Sequence, residues 1–180
     1  MEEKMTIEEI IRIAKEECGF DEVNILDPQT FVQSQMVRDT CKTDKCGAYG
    51  KNWGCPPHST PEEDNAKLTA YAHGLILQCI GRSEKRIDRK MYFETGQRMA
   101  DGIRKLKDIL VKAYPDCLAL GAGGCMICKE CARPEPCRFP DKRIEALEGY
   151  GIFITQLCRD NNVLYYYGEG TIAYNGAILW

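Results

Sequence analysis

The sequence predicts a single compact domain over residues 1–180, of the α/β or α+β class, in which a small mixed sheet and helices form a sandwich. Short apolar runs of strand length alternate with longer segments of helical periodicity, and this alternation predicts layers of both kinds. A length of 180 residues with 44% hydrophobic content suits one domain with its own core. Two loops, 38–59 and 121–140, lack periodicity and hold most of the cysteines.

The first elements are a helix and a strand. Thr6 and Glu9 form a capping box, which predicts a helix over 6–17 with apolar residues recurring on one face. Residues 22–26 are predicted to form a strand. The cysteine loop 38–59 follows, and a loop of about 20 residues without regular structure is unusual in a compact domain unless it is functional.

A second helix and a second strand come next. Thr60 and Glu63 form another capping box, and Pro61 suits the first helical position, so a helix is predicted over 60–73. The apolar run 74–80 is short and predicts a buried strand.

The middle of the chain predicts a long helix over 83–113. Gly96 and Gly102 interrupt its helical spacing, so a break or kink is expected near them. A short strand is predicted over 117–120, and it leads directly into the glycines of the second cysteine loop.

The C-terminal part predicts two helices, over 141–147 and 152–161, followed by a β-hairpin whose strands are 163–167 and 171–180. The aromatic residues of the hairpin are expected to pack on the sheet: Tyr165, Tyr166, Tyr167, Tyr174 and Trp180.

Composition excludes several classes of protein. The net charge of -3 does not favour nucleic-acid binding. No apolar run is long enough to span a bilayer, so no membrane association is expected. The acidic N-terminus lacks a signal region, which predicts a cytoplasmic protein. Eleven cysteines under reducing conditions then indicate metal or redox chemistry rather than a disulfide framework.

The strongest motif is the run GGCMICKECARPEPCRFP, which places four cysteines close together: Cys125, Cys128, Cys131 and Cys137. Three cysteines at successive intervals of three resemble the run that holds a cubane iron–sulfur cluster. The last gap is longer than in bacterial ferredoxins, and Pro140 stands three residues after the fourth cysteine.

A second group consists of Cys41, Cys46 and Cys55, with Pro56 directly after the last of them. The glycines between these cysteines allow tight turns and a close approach of the backbone to a cluster. Backbone N–H groups that point at sulfur atoms then help to set the potential of the cluster.

Two clusters need eight ligands, and the two groups offer seven cysteines. Cys117, Cys158 or His58 completes the set, or one iron keeps an open position. Cross-ligation, in which Cys137 serves the first group, is a further alternative. Zn²⁺ held by thiolates is the competing interpretation, although it favours two well-separated pairs of cysteines over a triple.

At these two groups the chain resembles a family of uncharacterised, cysteine-rich predicted metal-binding proteins of anaerobic archaea and bacteria, a domain of unknown function. The resemblance rests on CGAYGKNWGCPPH and on GGCMICKECARPEPCRFPDKRIEALEGYGI, which occur in this order, and it covers most of the chain. It implies a compact α/β protein with cysteine-bound metal of the iron–sulfur type, and no established reaction.

The favoured hypothesis is therefore an iron–sulfur protein that binds one or two [4Fe–4S] clusters and performs electron transfer or other redox chemistry with a partner protein or a small molecule. A thiolate-zinc structural or binding module is the alternative, and an enzyme with an open-site [4Fe–4S] cluster is the second. Beside the second group, Arg133, Arg138 and Lys142 are expected to offset the charge of a cluster or dock an acidic partner, unless they are merely solvated. No catalytic residue and no oligomeric state follow from the sequence.

Overall fold

The computed structural model describes residues 4–57, 60–85 and 87–180. Over these residues the fold is α+β, with five α-helices and an open five-stranded mixed sheet. The helices are α1 (Ile7–Glu16), α2 (Gln35–Lys42), α3 (Pro61–Thr69), α4 (Arg89–Leu110) and α5 (Ile154–Asp160). The strands are β1 (Glu22–Leu26), β2 (Gly74–Arg82), β3 (Leu118–Gly121), β4 (Glu145–Ala146) and β5 (Thr171–Leu179).

The strand order across the sheet is β1-β2-β5-β3-β4. The two central strands, β2 and β5, pair antiparallel along their whole length, from Gly74 opposite Leu179 to Arg82 opposite Thr171. The β3–β4 pair is parallel, whereas the other pairs are antiparallel. Because parallel strands run the same way, the segments that follow β3 and β4 leave the sheet at the same end.

Apolar residues cover both faces of the sheet. On one face, Leu75 and Leu77 of β2 pack in a cluster with buried residues of α1 and α4. On the other face, Ile76 packs with residues of α3, α5 and the segment around Tyr150. Burial on both faces explains why β2 is a continuous apolar run rather than an alternating one.

Local signals at helix starts are confirmed. The capping boxes of Thr6 with Glu9 and of Thr60 with Glu63 are both present, and Pro61 is the first residue of α3. Since each box satisfies backbone N–H groups that the helix leaves unpaired, the sequence alone determines these starts. The helix predicted to reach residue 73 ends at Thr69.

The long helix is shorter than predicted and has no break. It covers Arg89–Leu110 without interruption at Gly96 or Gly102. A Cβ atom at Gly102 would lie 2.6 Å from the carbonyl oxygen of Cys18. Glycine at this position therefore allows a close contact between α4 and the end of α1.

Two predictions about the C-terminal part are wrong. Residues 141–147 do not form a helix: a 3₁₀ turn at Pro140–Lys142 is followed by β4, whose residues are buried. Residues 163–167 do not form a strand, because β5 already pairs with β2 on one side and β3 on the other. Tyr165 and Tyr166 are consequently exposed instead of packing on the sheet.

The cysteine loops differ in regularity. The first is not wholly irregular as predicted, since α2 extends to Lys42 and carries Cys41 in its last turn. The second has no helix or strand between the end of β3 at Gly121 and Pro140. Among the described residues, no helix is both long enough and apolar enough to cross a lipid bilayer.

Candidate metal centre

The first cysteine group is held by α2 and the turns that follow it. Asp44, at a positive φ of 50°, accepts a hydrogen bond from the backbone N–H of Tyr49 at 2.9 Å and pairs with Lys51 at 2.5 Å. The backbone N–H of Gly50 donates to the carbonyl of Pro56 at 2.8 Å. These bonds fold the loop into tight turns between Asp44 and Pro56.

The three thiols of this group line one cavity of about 360 Å³. The wall of the cavity includes Cys41, Cys46, Cys55, Gly123, Gly124 and Glu148. They come from three parts of the chain: the first cysteine loop, the segment after β3 and the segment after β4. The cavity therefore lies at the end of the sheet where the parallel pair β3–β4 terminates.

Two of the three thiols are harder to ionise than a free cysteine. Burial, together with the neighbouring Cys46, Cys41 and Glu148, raises the pKa of Cys55 to about 11, whereas Arg133 acts in the opposite direction. Burial also raises the pKa of Cys41. Since only the thiolate binds a metal, a bound cation would have to displace the protons of these cysteines.

Glu148 is a wall residue that the sequence analysis did not single out. Its Oε2 atom is buried and has no hydrogen-bond partner among the described residues. Burial raises the pKa of the carboxyl, while the backbone N–H groups of Glu148 and Gly123 act to lower it. In the sequence this residue is marked only by its place beside the Gly149-Tyr150-Gly151 turn, which is too weak a signal to identify a residue of the cavity wall.

The second cysteine group lies on the irregular loop after β3. Cys125, Cys128, Cys131 and Cys137 are all partly exposed. The backbone N–H of Trp53, from the first loop, donates to the Sγ of Cys131 at 3.3 Å. An N–H···S bond of this kind is the interaction that tunes the electronics of a thiolate-bound cluster.

The two cysteine loops are joined by polar contacts from one to the other. The Asn52 side chain donates to the carbonyl of Cys125 at 2.9 Å. Arg133 reaches back from the second loop to the carbonyls of Asn52, Cys55 and Pro57 at 3.1, 2.9 and 2.9 Å. Its guanidinium also lies 4.8 Å from the centre of the Trp53 ring. Arg133 is thus a link between the loops rather than a solvated charge.

Two glycines allow the loops to touch. A Cβ atom at Gly54 would lie 2.7 Å from the backbone nitrogen of Cys125, and one at Gly124 would lie 2.9 Å from the Sγ of Cys55. Both distances are shorter than van der Waals contact. The close approach of the two groups therefore depends on the absence of a side chain at these two positions.

The remaining candidate ligands lie elsewhere. Cys117 and Cys158 are buried in the two apolar clusters, one on each face of the sheet, and neither lines the cavity. Cys18 and Cys79 are core residues, as predicted. His58 lies outside the described residues. Arg138 donates to the carbonyl of Glu130 at 2.9 Å, and Lys142 is exposed.

The seven cysteines thus form two adjacent groups, but the thiols of neither group converge on one point as the ligands of a single ion would. Among the described residues, no set of three or more His, Cys, Asp or Glu side chains is arranged to hold one metal ion. The cavity is much larger than the roughly 30 Å³ that one water occupies in the liquid. The donors and the space fit a cofactor of several atoms better than a single ion.

Comparisons with known proteins give a family and nothing more specific. No curated protein and no solved structure matches the chain. The family model for predicted metal-binding proteins, DUF2284, matches residues 24–180. This match includes both cysteine loops, the cavity and the whole sheet except the first residues of β1. The chain therefore belongs to the DUF2284 family of predicted metal-binding proteins.

Proposed function

We propose that this protein binds one or two [4Fe–4S] clusters through its two cysteine groups and uses them in electron transfer. Cys125, Cys128, Cys131 and Cys137 would hold one cluster, and Cys41, Cys46 and Cys55 would hold the other. The observation that carries the proposal is the joint placement of both groups at one end of the sheet, where the first lines a cavity of about 360 Å³. Each cluster, when bound, would supply the one-electron chemistry.

The shape of the site supports a cluster over zinc. A structural Zn²⁺ requires four ligands at about 2.0–2.3 Å around a single point. The first group instead surrounds a volume about ten times that of a water molecule. A cubane cluster has four separate iron corners, so the thiols that would hold it do not have to converge on one point.

Neighbouring groups suit the charge of a cluster. Thiolate-bound clusters are usually anionic, and Arg133 brings a positive charge to the junction between the loops. Its pairing with backbone carbonyls fixes this charge in position without neutralising it. The N–H of Trp53 adds a hydrogen bond to Cys131. Arg133 therefore stabilises negative charge at Cys55 of the first group, and the Trp53 N–H stabilises it at Cys131 of the second.

Exposed apolar residues lie beside the second group. Its four cysteines are partly exposed, whereas the first group ranges from the buried Cys55 to the exposed Cys46. Met126 and Phe139 are exposed apolar residues on the second loop. A redox partner protein would therefore dock and exchange electrons at the second group.

The experiment is electron paramagnetic resonance on protein purified without oxygen and reduced with dithionite. We compare the wild type with Cys131→Ser, Cys55→Ser and, as a control, the core variant Cys18→Ala. We expect signals from two interacting clusters, one of which weakens in each ligand variant and neither of which changes in the control. A chain that binds zinc and no iron would contradict the proposal.

A further inference from the structure

The first group has three cysteines, whereas a cubane cluster has four iron corners. One corner therefore needs a ligand of another kind or remains open. Cys117 and Cys158, the two cysteines that the sequence offers in addition, are buried in the apolar clusters on opposite faces of the sheet. Among the described residues outside the second group, the side chains that face the cavity are the ones that can supply the missing ligand.

Glu148 is the carboxylate in the wall of this cavity. It lies two residues after β4, in the 3₁₀ turn Leu147–Tyr150, which is capped by Gly151 in the left-handed region. Its carbonyl accepts hydrogen bonds from the thiol of Cys41 at 3.9 Å and from the N–H of Gly151 at 2.9 Å. These bonds place the backbone of Glu148 beside Cys41, and the carboxyl of Glu148 acts electrostatically on the same thiol.

The Oε2 atom of Glu148 is buried without a hydrogen-bond partner among the described residues. A buried carboxylate oxygen without a partner is costly, so its presence needs an explanation. A positively charged iron corner in the cavity would provide the missing partner. Oxygen is also a common ligand for iron in proteins.

A second carboxylate, that of Glu145, is buried nearby and differs from Glu148 in having partners for both oxygens. Glu145, three residues earlier, accepts hydrogen bonds from Tyr150 and Arg143 and lies 3.6 Å from the ammonium of Lys67. The nearby Arg38, whose charge reaches Cys41, is held by Asp64 at 2.8 Å. The cationic side chains of this region therefore form ion pairs with Glu145 and Asp64.

We propose that Glu148 is the fourth ligand of the first cluster, which makes a set of three cysteines and one glutamate. This inference rests on the proposed function, because it requires a cluster at Cys41, Cys46 and Cys55. Carboxylate binds iron less tightly than thiolate does. Glu148 is therefore the ligand that a small molecule entering the cavity would displace. The cluster then has one chemically distinct iron.

The test compares Glu148→Gln with Glu130→Gln in the full chain, purified without oxygen. Both variants remove one negative charge, but the Glu130 side chain is exposed on the second loop and does not line the cavity. Mössbauer spectra of the ⁵⁷Fe-loaded protein report whether one iron differs from the rest. We expect this distinct iron in the wild type and in Glu130→Gln, and its loss or alteration in Glu148→Gln.

Oxidation with ferricyanide gives a second readout. Ferricyanide accepts one electron from [4Fe–4S]²⁺, which then releases one Fe²⁺ and leaves [3Fe–4S]⁺. We expect Glu148→Gln to form the [3Fe–4S]⁺ signal about tenfold faster than the wild type, because loss of the ligand frees the corner. Glu148→Asp keeps the carboxylate and should fall between them. If Glu148→Gln does not fold, the comparison of Glu148→Asp with the wild type carries the test.

The possible results distinguish a wrong assignment of Glu148 from the absence of a cluster. Equal Mössbauer spectra and equal oxidation rates in wild type and Glu148→Gln would overturn the role of Glu148 while leaving the cluster in place. A Glu148→Asp variant that loses iron faster than Glu148→Gln would also overturn it. A wild type that holds no iron would instead refute the proposed function on which the assignment rests.

Discussion

The contact between the two cysteine loops at Gly54 can be perturbed with a single methyl group. In Gly54→Ala the new Cβ would lie 2.6 Å from the carbonyl oxygen of Ile144, 2.7 Å from the nitrogen of Cys125 and 2.9 Å from the Cβ of Cys125. The first two atoms belong to the backbone, so no flexible side chain can move away. We expect a cost near the upper end of the usual range for overpacking, about 3 kcal/mol.

The assay is thermal unfolding of the metal-free chain, followed by circular dichroism, together with iron per chain after anaerobic loading. For a protein of this size, about 3 kcal/mol lowers the midpoint by roughly 6–12 °C. Because the methyl group pushes Cys125 away from the first loop, iron content should also fall. Gly96→Ala is the matched control, since its Cβ would meet only the Tyr174 ring at 3.5 Å in the middle of α4.

The control should gain stability, because alanine is about 1 kcal/mol more favourable than glycine inside a helix. The two glycine-to-alanine changes are therefore predicted to shift the midpoint in opposite directions. If Gly54→Ala matches the wild type in both midpoint and iron content, the loops do not depend on this contact, and the two groups do not form one centre.

Three further predictions concern the supports of the site. Asp64→Ala should destabilise the fold by about 3–5 kcal/mol in chemical denaturation, because it removes the partner of the mostly buried Arg38. Arg133→Lys keeps the charge but loses the planar fork that reaches three carbonyls, so about 2 kcal/mol of stability and part of the iron should be lost. Burial alone would raise the pKa of Glu145, yet the Tyr150 hydrogen bond and nearby cations hold it below its usual value of 4.5. The advantage of wild type over Glu145→Gln should therefore be full above pH 4.5 and vanish as the pH falls through the lowered pKa, and a difference that grows in acid would contradict this.

Much of the fold follows from local signals in the sequence. The two capping boxes determine where α1 and α3 begin, and the apolar run of β2 predicts a strand buried on both faces. These features need only short stretches of chain, so the sequence is enough to predict them.

The parts that could not be predicted depend on distant contacts. The strand β4 has only two residues, and it forms only because β3 lies beside it. The same pairing turns the following segment toward the cavity and places Glu148 among the thiols. No periodicity in the sequence marks such a short strand, which is why both the strand and the glutamate escaped prediction.

The seven candidate ligands could be chosen by their spacing, since metal ligands cluster in sequence when one loop supplies several of them. The structure adds that Cys117 and Cys158 lie in the core and do not line the cavity. It also gives Arg133 a defined role in joining the loops. Its proximity to the second group could be read from the sequence, but its three partners in the first loop could not.

The most direct test of the account is the content of iron, acid-labile sulfide and zinc per chain in protein purified without oxygen, with an absorption spectrum of the same sample. We predict about eight irons with matching sulfide and a broad band near 400 nm, as expected for two cubane clusters. About four irons would mean that only one group holds a cluster. Zinc without iron would contradict the central claim and identify the metal as a structural one.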